Sequence, residues 1–373
     1  MKSHLLPLML MLLLMVGAHV YVFYRIWQMI PACGALRIVL LVVGILVAAS
    51  PFVAMSLGGM MPGAISGLLY KVGTSWMIIF LYLLIAILLL DLIRVTHLLP
   101  LDSYLRNSWI GFGALTALLT VIMTGGYIHY LNKTRVELTL PVAKEMPGGG
   151  EGLKIVAISD MHLGYGIGRK EFEGWVELIN KENPDILLIP GDIIDNNVRP
   201  LEEQRMWEVF SQIKTRYGIY ATPGNHEYIA DINRSLRFLK SAGIHLLRDT
   251  TVLVDDRFYL VGRDDKMNPN RKTVSQLMFG VNESKPVILL DHQPYKLEEA
   301  AQNGIDLQLS GHTHKGQVWP ISWVTKFLFE KAHGYLKKEN THYYISSGIG
   351  IWGGKFRIGS QSEYVVIHLT PQS

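Results

Sequence analysis

The residues of this chain that could do chemistry are gathered in five short motifs between residues 160 and 314. Their side chains offer carboxylate, amide and imidazole ligands but no thiolate, a donor set that suits Mn²⁺, Fe or Zn²⁺. Two such cations held close together activate water and bind both sides of a phosphoryl group. Five motifs in order therefore indicate a two-metal site that cleaves phosphoesters. The motifs are Asp160-Met-His162, Gly191-Asp192, Gly224-Asn225-His226-Glu227, Asp291-His292 and Gly311-His312-Thr313-His314.

Each motif follows a short apolar segment that we predict to be a β-strand, for example Lys154–Ser159 before Asp160. Helical patterns alternate with these strands, which predicts parallel βαβ units. The continuous apolar sequences suit strands that are covered on both faces of a sheet. Because ligands collect beyond the carboxyl ends of parallel strands, we expect the five motifs to meet at one edge.

The first third of the chain has a different composition. Before Lys133 the only acidic residues are Asp91 and Asp102, and four apolar segments each approach the length of about 20 residues that crosses a bilayer. We predict an α-helical membrane anchor with four spans. The first span is expected to be retained, because its apolar stretch is longer than that of a signal peptide. The segments are Leu5–Tyr24, Ile38–Leu57, Val72–Leu90 and Trp109–Leu131.

The charges leave open which side of the membrane carries the rest of the chain. Basic residues in the loops between spans 1–2 and 3–4 nearly balance those on the opposite side, so the positive-inside rule gives no clear orientation. The short arginine-bearing loops favour an extracytoplasmic domain, and a cytoplasmic domain is the alternative. The two groups are Arg25, Arg37, Arg94 and Arg106 against Lys2, Lys71, Lys133 and Arg135.

Composition excludes several other classes of protein. The formal net charge of +4 is small for 373 residues and does not indicate nucleic-acid binding. The single cysteine, Cys33, excludes a disulfide within the chain and a cysteine-based zinc site. Oligomeric state is not indicated by any pattern in the sequence.

A segment rich in proline and glycine, Pro141–Gly152, follows the fourth span and is typical of a flexible tether. We therefore divide the chain into a transmembrane region at residues 1–132, a linker at 133–152 and a soluble domain at 153–373.

The motifs resemble the D-x-H, G-D-x-x-D, G-N-H-[DE], strand-end His and G-H-x-H pattern of the calcineurin-like metallophosphoesterase superfamily. The resemblance covers the whole soluble domain. It is strongest to the membrane-anchored branch, which includes transmembrane metallophosphoesterase-domain proteins and relatives of UDP-2,3-diacylglucosamine pyrophosphohydrolase. That branch more often has Gly in place of Lys315. The resemblance implies an α/β domain built as a four-layer α/β/β/α sandwich, attached to a multi-pass anchor in a bacterial cell membrane.

The resemblance also implies a role for each motif residue. His226 would protonate the leaving group, and Asp195 would hydrogen-bond to His226 and orient it. Asn225, Lys315 and Arg357 are candidates for contacting the substrate, with a surface role as the alternative for the two basic residues. The implied ligands of the two divalent cations are Asp160, His162 and His314 for one, Asn225, His292 and His312 for the other, and Asp192 as the bridge.

The segment Gln317–Phe329 is unusually rich in large apolar residues. It either covers the core of the domain or lies at the boundary between lipid headgroups and acyl chains. Together with the four spans it favours a lipid-linked phosphoester or pyrophosphate, similar to UDP-2,3-diacylglucosamine or a phospholipid, as substrate. The alternatives are a phosphodiesterase or phosphatase acting on a soluble nucleotide or phosphoprotein, and a non-catalytic metal-binding scaffold.

Overall fold

The computed structural model describes residues 5–31, 34–97, 99–144 and 152–372. The chain divides into two compact units, Met1–Gly126 and Tyr127–Ser373. Cys33 and the glycine-rich part of the predicted linker lie outside the described residues.

The first unit is helical, as predicted. Four of its helices are long and apolar enough to cross a membrane. Large apolar side chains such as Leu14 and Leu46 are exposed on them. A helix that is apolar all round needs lipid or protein on every side, which supports a membrane protein. The helices are α1 (Leu5–Met29), α2 (Gly34–Leu57), α3 (Gly63–Val95), the short α4 (Asp102–Leu105) and α5 (Trp109–Leu131), whose last turn belongs to the second unit.

The second unit contains two six-stranded sheets. The first sheet has the strand order β1-β12-β2-β3-β4-β5 and the second has the order β10-β11-β9-β8-β7-β6. Strands β2 to β5 are parallel, as are β7, β8, β9 and β11. The strands are β1 (Lys133–Val142), β2 (Leu153–Ala157), β3 (Ile186–Pro190), β4 (Ile219–Thr222), β5 (His245–Leu246), β6 (Thr250–Val254), β7 (Phe258–Gly262), β8 (Val287–Leu290), β9 (Leu307–Ser310), β10 (Gly334–Lys338), β11 (Thr341–Ile345) and β12 (Ser362–Pro371).

Three apolar cores separate four layers. Successive residues of a strand point to opposite faces. Ile155 of β2 therefore lies in the core between the two sheets, whereas Val156 lies in the core beneath the helices that contain Phe172 and Phe210. A third core joins the outer face of the second sheet to the helices that contain Leu277. This helix–sheet–sheet–helix stack is the predicted four-layer sandwich, and the fold class is confirmed.

The helices of the second unit are mostly short. The predicted helix near residues 201–214 is replaced by two short helices, since turns interrupt the segment before and after Trp207. The helices are α6 (Arg169–Glu182), α7 (Arg199–Glu203), α8 (Trp207–Phe210), α9 (Asn225–Ile229), α10 (Ile232–Ser241), α11 (Val274–Leu277), α12 (Glu298–Ala301) and α13 (Ile321–Leu328).

The predicted linker contains strand β1, which pairs in parallel with β12 from Lys133 to Val142. Its inward-facing residues Leu140 and Val142 are buried in the core between the sheets. The first ten residues of the segment are therefore part of the first sheet. A tether formed by the remaining residues of 133–152 stays a prediction.

Candidate metal centre

The five motifs all lie where strands of the two sheets end. Asp160 follows β2, Asp192 follows β3 and Asn225 follows β4 in the first sheet. His292 follows β8 and His312 follows β9 in the second. Hydrogen bonds join the loops of the two sheets directly, since the backbone N–H of His312 donates to a carboxylate oxygen of Asp160 over 2.9 Å and His292 Nδ1 donates to the Pro190 carbonyl over 2.8 Å. The carboxyl ends of both sheets thus form one site.

The first ligand group comprises Asp160, His162 and His314, and its ligand atoms lie within 4.8 Å of one another. The Nε2 atoms of His162 and His314 are 3.1 Å apart, and His314 Nε2 is 3.5 Å from a carboxylate oxygen of Asp160. The Nδ1 atoms of both histidines are buried and make no hydrogen bond to any described residue. Two imidazole nitrogens and a carboxylate that converge in this way fit a divalent cation.

The second ligand group comprises Asp192, His292 and His312. His292 Nδ1 donates to the Pro190 carbonyl over 2.8 Å, so the proton of a neutral imidazole lies on that nitrogen. Its Nε2 then directs a lone pair towards Asp192 Oδ2, 3.0 Å away. Asn225 Oδ1 lies 2.9 Å from His312 Nδ1, which places the predicted amide ligand beside this group. The carboxylate and imidazole acceptors of this group face one another, and such an arrangement again fits a cation.

Asp192 lies between the two groups. Its Oδ2 atom is 3.0 Å from His292 Nε2 in one group and 3.8 Å from His162 Nε2 in the other. Its Oδ1 atom accepts a hydrogen bond from the backbone N–H of His226 over 2.9 Å. This position matches the expected bridging carboxylate, and the bridging role itself stays a prediction.

His226 lies beside the first ligand group, with its ring centroid 4.5 Å from that of His162. Its Nδ1 donates to the backbone carbonyl of Asp195 over 2.9 Å, and the Asp195 carboxylate is farther away at 3.5 Å. The residue predicted to orient His226 therefore does so through its main chain. Burial alone would lower the pKa of His226, but Asp192 and Asp195 raise it above its ordinary value.

Burial also shifts the pKa values of the other site residues. It raises the pKa of Asp160, and it lowers the pKa of His312 to about 3 and that of His314 well below its usual range. Burial would raise the pKa of Asp192 too, but His292 and His226 in their protonated forms hold it well below its ordinary value, and burial would lower the pKa of His292 but Asp192 raises it. His312 and His314 are consequently neutral near pH 7, which leaves their lone pairs available to a cation.

The backbone at the site is held in an uncommon conformation. Five predicted ligands have φ between +45° and +71°. Short polar residues adopt this left-handed region most readily, and such strain concentrates at functional sites. Two motif glycines leave room for the carboxylates, since a Cβ at Gly224 or Gly311 would approach an oxygen of Asp192 or Asp160 to 2.2 Å. The five ligands are Asp160, His162, Asp192, His312 and His314.

Two roles are open to Glu227, the last residue of the Gly224 motif: that of a helix cap and that of a support for the site. It is fully buried, and its carboxylate accepts backbone N–H groups from Asp192, Ile194 and Gly224 over 2.7 to 3.1 Å. It therefore acts as both, because it begins α9 and ties the loop of Asp192 to the loop of Asn225. Its place three residues after Gly224, where a capping acid is common, is the signal in the sequence.

Arg357 is placed differently from the expectation that it contacts the substrate. Its side chain is buried, and the guanidinium donates to the carbonyls of His314, Ser347, Gly348 and Gly350 over 2.6 to 3.2 Å. It thereby fixes the loop that carries His314 of the first ligand group. Lys315 is half-buried beside His314, and its contact with a substrate stays a prediction.

Comparison with known proteins agrees with this geometry. A sequence profile described as calcineurin-like phosphoesterase matches residues 153–316. A zebrafish (Danio rerio) protein described as a transmembrane protein with metallophosphoesterase domain is 34% identical, over 63% of this chain and 56% of its own length. An uncharacterized metallophosphoesterase of Helicobacter pylori is 33% identical, over 59% of this chain and 60% of its own length. Another from Aquifex aeolicus is 32% identical, over 66% of this chain and 96% of its own length.

The chain thus spans less than two thirds of the length of the zebrafish and Helicobacter relatives. A solved 5'-nucleotidase precursor of Thermus thermophilus aligns with 58% of this chain and 55% of its own at 15% identity. Its TM-score of 0.34 is too low to support an argument.

Imidazoles and carboxylates gathered at the edge of two packed sheets define a candidate metal centre. Together with this site, the profile and the relatives show that the chain belongs to the calcineurin-like metallophosphoesterases. The expected family is therefore confirmed.

Proposed function

We propose that the chain is a multi-pass membrane enzyme that uses two divalent cations to hydrolyse a lipid-linked phosphoester or pyrophosphate. The observation that carries the two-cation proposal is the position of the Asp192 carboxylate between two ligand groups, 3.0 Å from His292 Nε2 of one and 3.8 Å from His162 Nε2 of the other. Asp160, His162 and His314 hold one cation, and His292, His312 and Asn225 hold the other. Mn, Fe and Zn all match the donor set.

Two bound cations supply the charge that activates water and neutralises the phosphate oxygens. The protein residues add a proton donor and its orientation. His226 Nδ1 is held by the Asp195 carbonyl, so a protonated imidazole carries its second N–H on Nε2, available to the leaving oxygen. The His226 side chain is 12% exposed, which keeps it within reach of a bound substrate. A binding scaffold needs no such donor.

A lipid-linked substrate is supported by two features. The chain has four helices that suit a membrane, so the enzyme works beside a bilayer. In the second unit, the segment that follows His314 exposes several large apolar side chains, and Phe329 at its end lies with its ring 6.0 Å from that of His312. A phosphate group that remains attached to its lipid therefore has an apolar surface beside the ligands.

The test combines metal content with a substrate panel. Full-length protein in detergent is expected to bind two equivalents of Mn²⁺ and to hydrolyse bis-p-nitrophenyl phosphate. It is also expected to cleave phospholipids or lipid pyrophosphates faster than nucleotides. Asp192→Ala, which lacks the shared carboxylate, is the negative control. Faster hydrolysis of nucleotides or phosphoproteins would overturn the lipid assignment while keeping the enzyme, and one bound equivalent would overturn the two-cation site.

A further inference from the structure

Exposed large apolar side chains are concentrated in one segment of the second unit. Helix α13 has no buried residue among its eight, and Phe327 is 89% exposed. Elsewhere in the described part of this unit, outside the last turn of α5, such side chains are scattered, as at Leu253 and Phe279. A continuous apolar patch on a domain that otherwise buries its apolar residues marks an interaction surface. The exposed residues of α13 are Ile321, Trp323, Val324, Phe327 and Leu328.

The residues just before α13 are hydrogen-bonded to the loop that also contacts the end of α5. Ser360 Oγ donates to the Gln317 carbonyl over 2.5 Å, and the N–H of Trp319 donates to the Ile358 carbonyl over 2.7 Å. The Ser360 carbonyl in turn accepts from His129 Nδ1 over 3.2 Å. His129 lies in the last turn of α5, a helix long and apolar enough to span a membrane. The exposed helix thus neighbours the point where the chain leaves that span.

The charge of the segment suits a phospholipid surface. Between His312 and Phe329 there is no acidic residue, and Lys315 and Lys326 add positive charge. Tryptophan and phenylalanine beside lysine are typical of helices that lie in the headgroup region of a bilayer. This charge and the hydrogen-bonded link to the last turn of α5 favour a phospholipid surface over another soluble protein as the partner of α13.

We propose that α13 is an interfacial helix that inserts its apolar side chains into the bilayer surface next to the metal centre. The bilayer is the occupant of this surface. In this position α13 brings the phosphate group of a lipid to the metal ligands, which deepens the proposed function. The position of the helix itself does not depend on that function. At the other end of the helix, Phe329 packs near both His312 and Tyr295, with ring centroids 6.0 and 4.9 Å away. Insertion of α13 therefore places the second ligand group at the lipid surface.

The direct test measures the environment of Phe327 in the full chain. The single cysteine is removed by Cys33→Ser, a spin label is attached at Phe327→Cys, and the protein is reconstituted in nanodiscs of phosphatidylcholine and phosphatidylglycerol. The label is expected to be more accessible to oxygen than to a water-soluble nickel chelate. A label at Phe279→Cys is the matched control, because Phe279 is 92% exposed on another part of the unit. It is expected to show the opposite preference.

Two outcomes overturn the proposal. A Phe327 label as accessible to the nickel chelate as the Phe279 label places α13 in water. A label that is shielded from both reagents places it against protein, either a second copy or another partner.

A second measurement separates this proposal from the proposed function. In Trp323→Asp/Phe327→Asp, the rate on a phosphorylated lipid divided by the rate on bis-p-nitrophenyl phosphate is expected to fall at least about tenfold, since two apolar side chains that drive insertion are replaced by charged ones. Phe279→Asp is expected to leave this ratio unchanged. An unchanged ratio in the double variant contradicts the proposal. If the wild-type protein hydrolyses neither compound, the proposed function fails, and the spin-label result still decides the position of α13.

Discussion

The two ligand groups of the metal centre differ in how firmly the protein holds their imidazoles. In the second group, the Pro190 carbonyl fixes the Nδ1 atom of His292 and so directs its Nε2 atom towards Asp192. In the first group, the Nδ1 atoms of His162 and His314 make no hydrogen bond to any described residue. A ligand oriented by a neighbouring carbonyl binds its cation more tightly. We therefore expect the second group to retain a cation more firmly than the first.

The largest effect is expected at Asp192, whose carboxylate lies between the two ligand groups. Asp192→Ala removes a ligand close to both cations, so we expect loss of both equivalents and no hydrolysis above background. Metal analysis and a bis-p-nitrophenyl phosphate assay measure the two effects. Asp256→Ala, which removes an exposed carboxylate, is the control. Retention of two cations by Asp192→Ala would contradict a shared ligand.

The difference between the groups is tested by removing one histidine from each. We expect His292→Ala and His162→Ala each to bind a single cation and to lose more activity than a variant that keeps both. Because the cation left in His292→Ala is held by the untethered group, its affinity is expected to be about 10–100-fold weaker than that left in His162→Ala. Titration with a competing chelator gives both affinities. Equal affinities would refute the difference between the groups.

His226 belongs to neither group, and its removal separates chemistry from metal binding. His226→Ala is expected to keep two cations while turnover falls about 10²–10⁴-fold, since the leaving oxygen loses its proton donor. Metal content and kcat are measured on the same preparation. His368→Ala, an exposed histidine paired with Glu137, serves as the control. Loss of a cation from His226→Ala would assign this residue to the ligands instead.

The smallest effect is expected at Glu227, which supports the site from beneath. In Glu227→Gln, the amide keeps only one acceptor oxygen for the three backbone N–H groups. We expect metal affinity to fall about 10–100-fold and the free energy of unfolding to fall by about 1–3 kcal/mol. Chelator titration and denaturant unfolding measure the two quantities. A loss of stability with unchanged metal affinity would show that Glu227 serves the fold alone.

Much of this centre was accessible from the sequence, because strand ends and ligand types are local features. The apolar segments before Asp160, Asp192 and His292 correctly located strands, and the alternation with helices indicated a shared edge. The roles of Asp195 and Arg357 depend on contacts that the sequence does not show. The carbonyl of Asp195, rather than its carboxylate, meets His226. Arg357 looks like a surface cation until the fold encloses it with four carbonyls.

Strand β1 was missed for a similar reason. Its sequence lies between an apolar helix and a glycine-rich segment, so it looked like the start of a tether. The partner that makes it a strand is β12, at the opposite end of the second unit. Pairing between segments so distant in sequence leaves no local pattern. The short helix α13 was not predicted, because its apolar residues are exposed and do not mark a buried face.

The position of β12 has a consequence for synthesis of the protein. Ser362–Pro371 separates β1 from β2 and pairs with both, so the first sheet stays divided until these residues have left the ribosome. By then the apolar helices have long been available for insertion. During this interval the nascent chain is attached to the membrane while two strand edges are still unpaired and exposed. Unpaired strand edges promote aggregation. In a chain truncated before Ser362, the edges of β1 and β2 would stay unpaired.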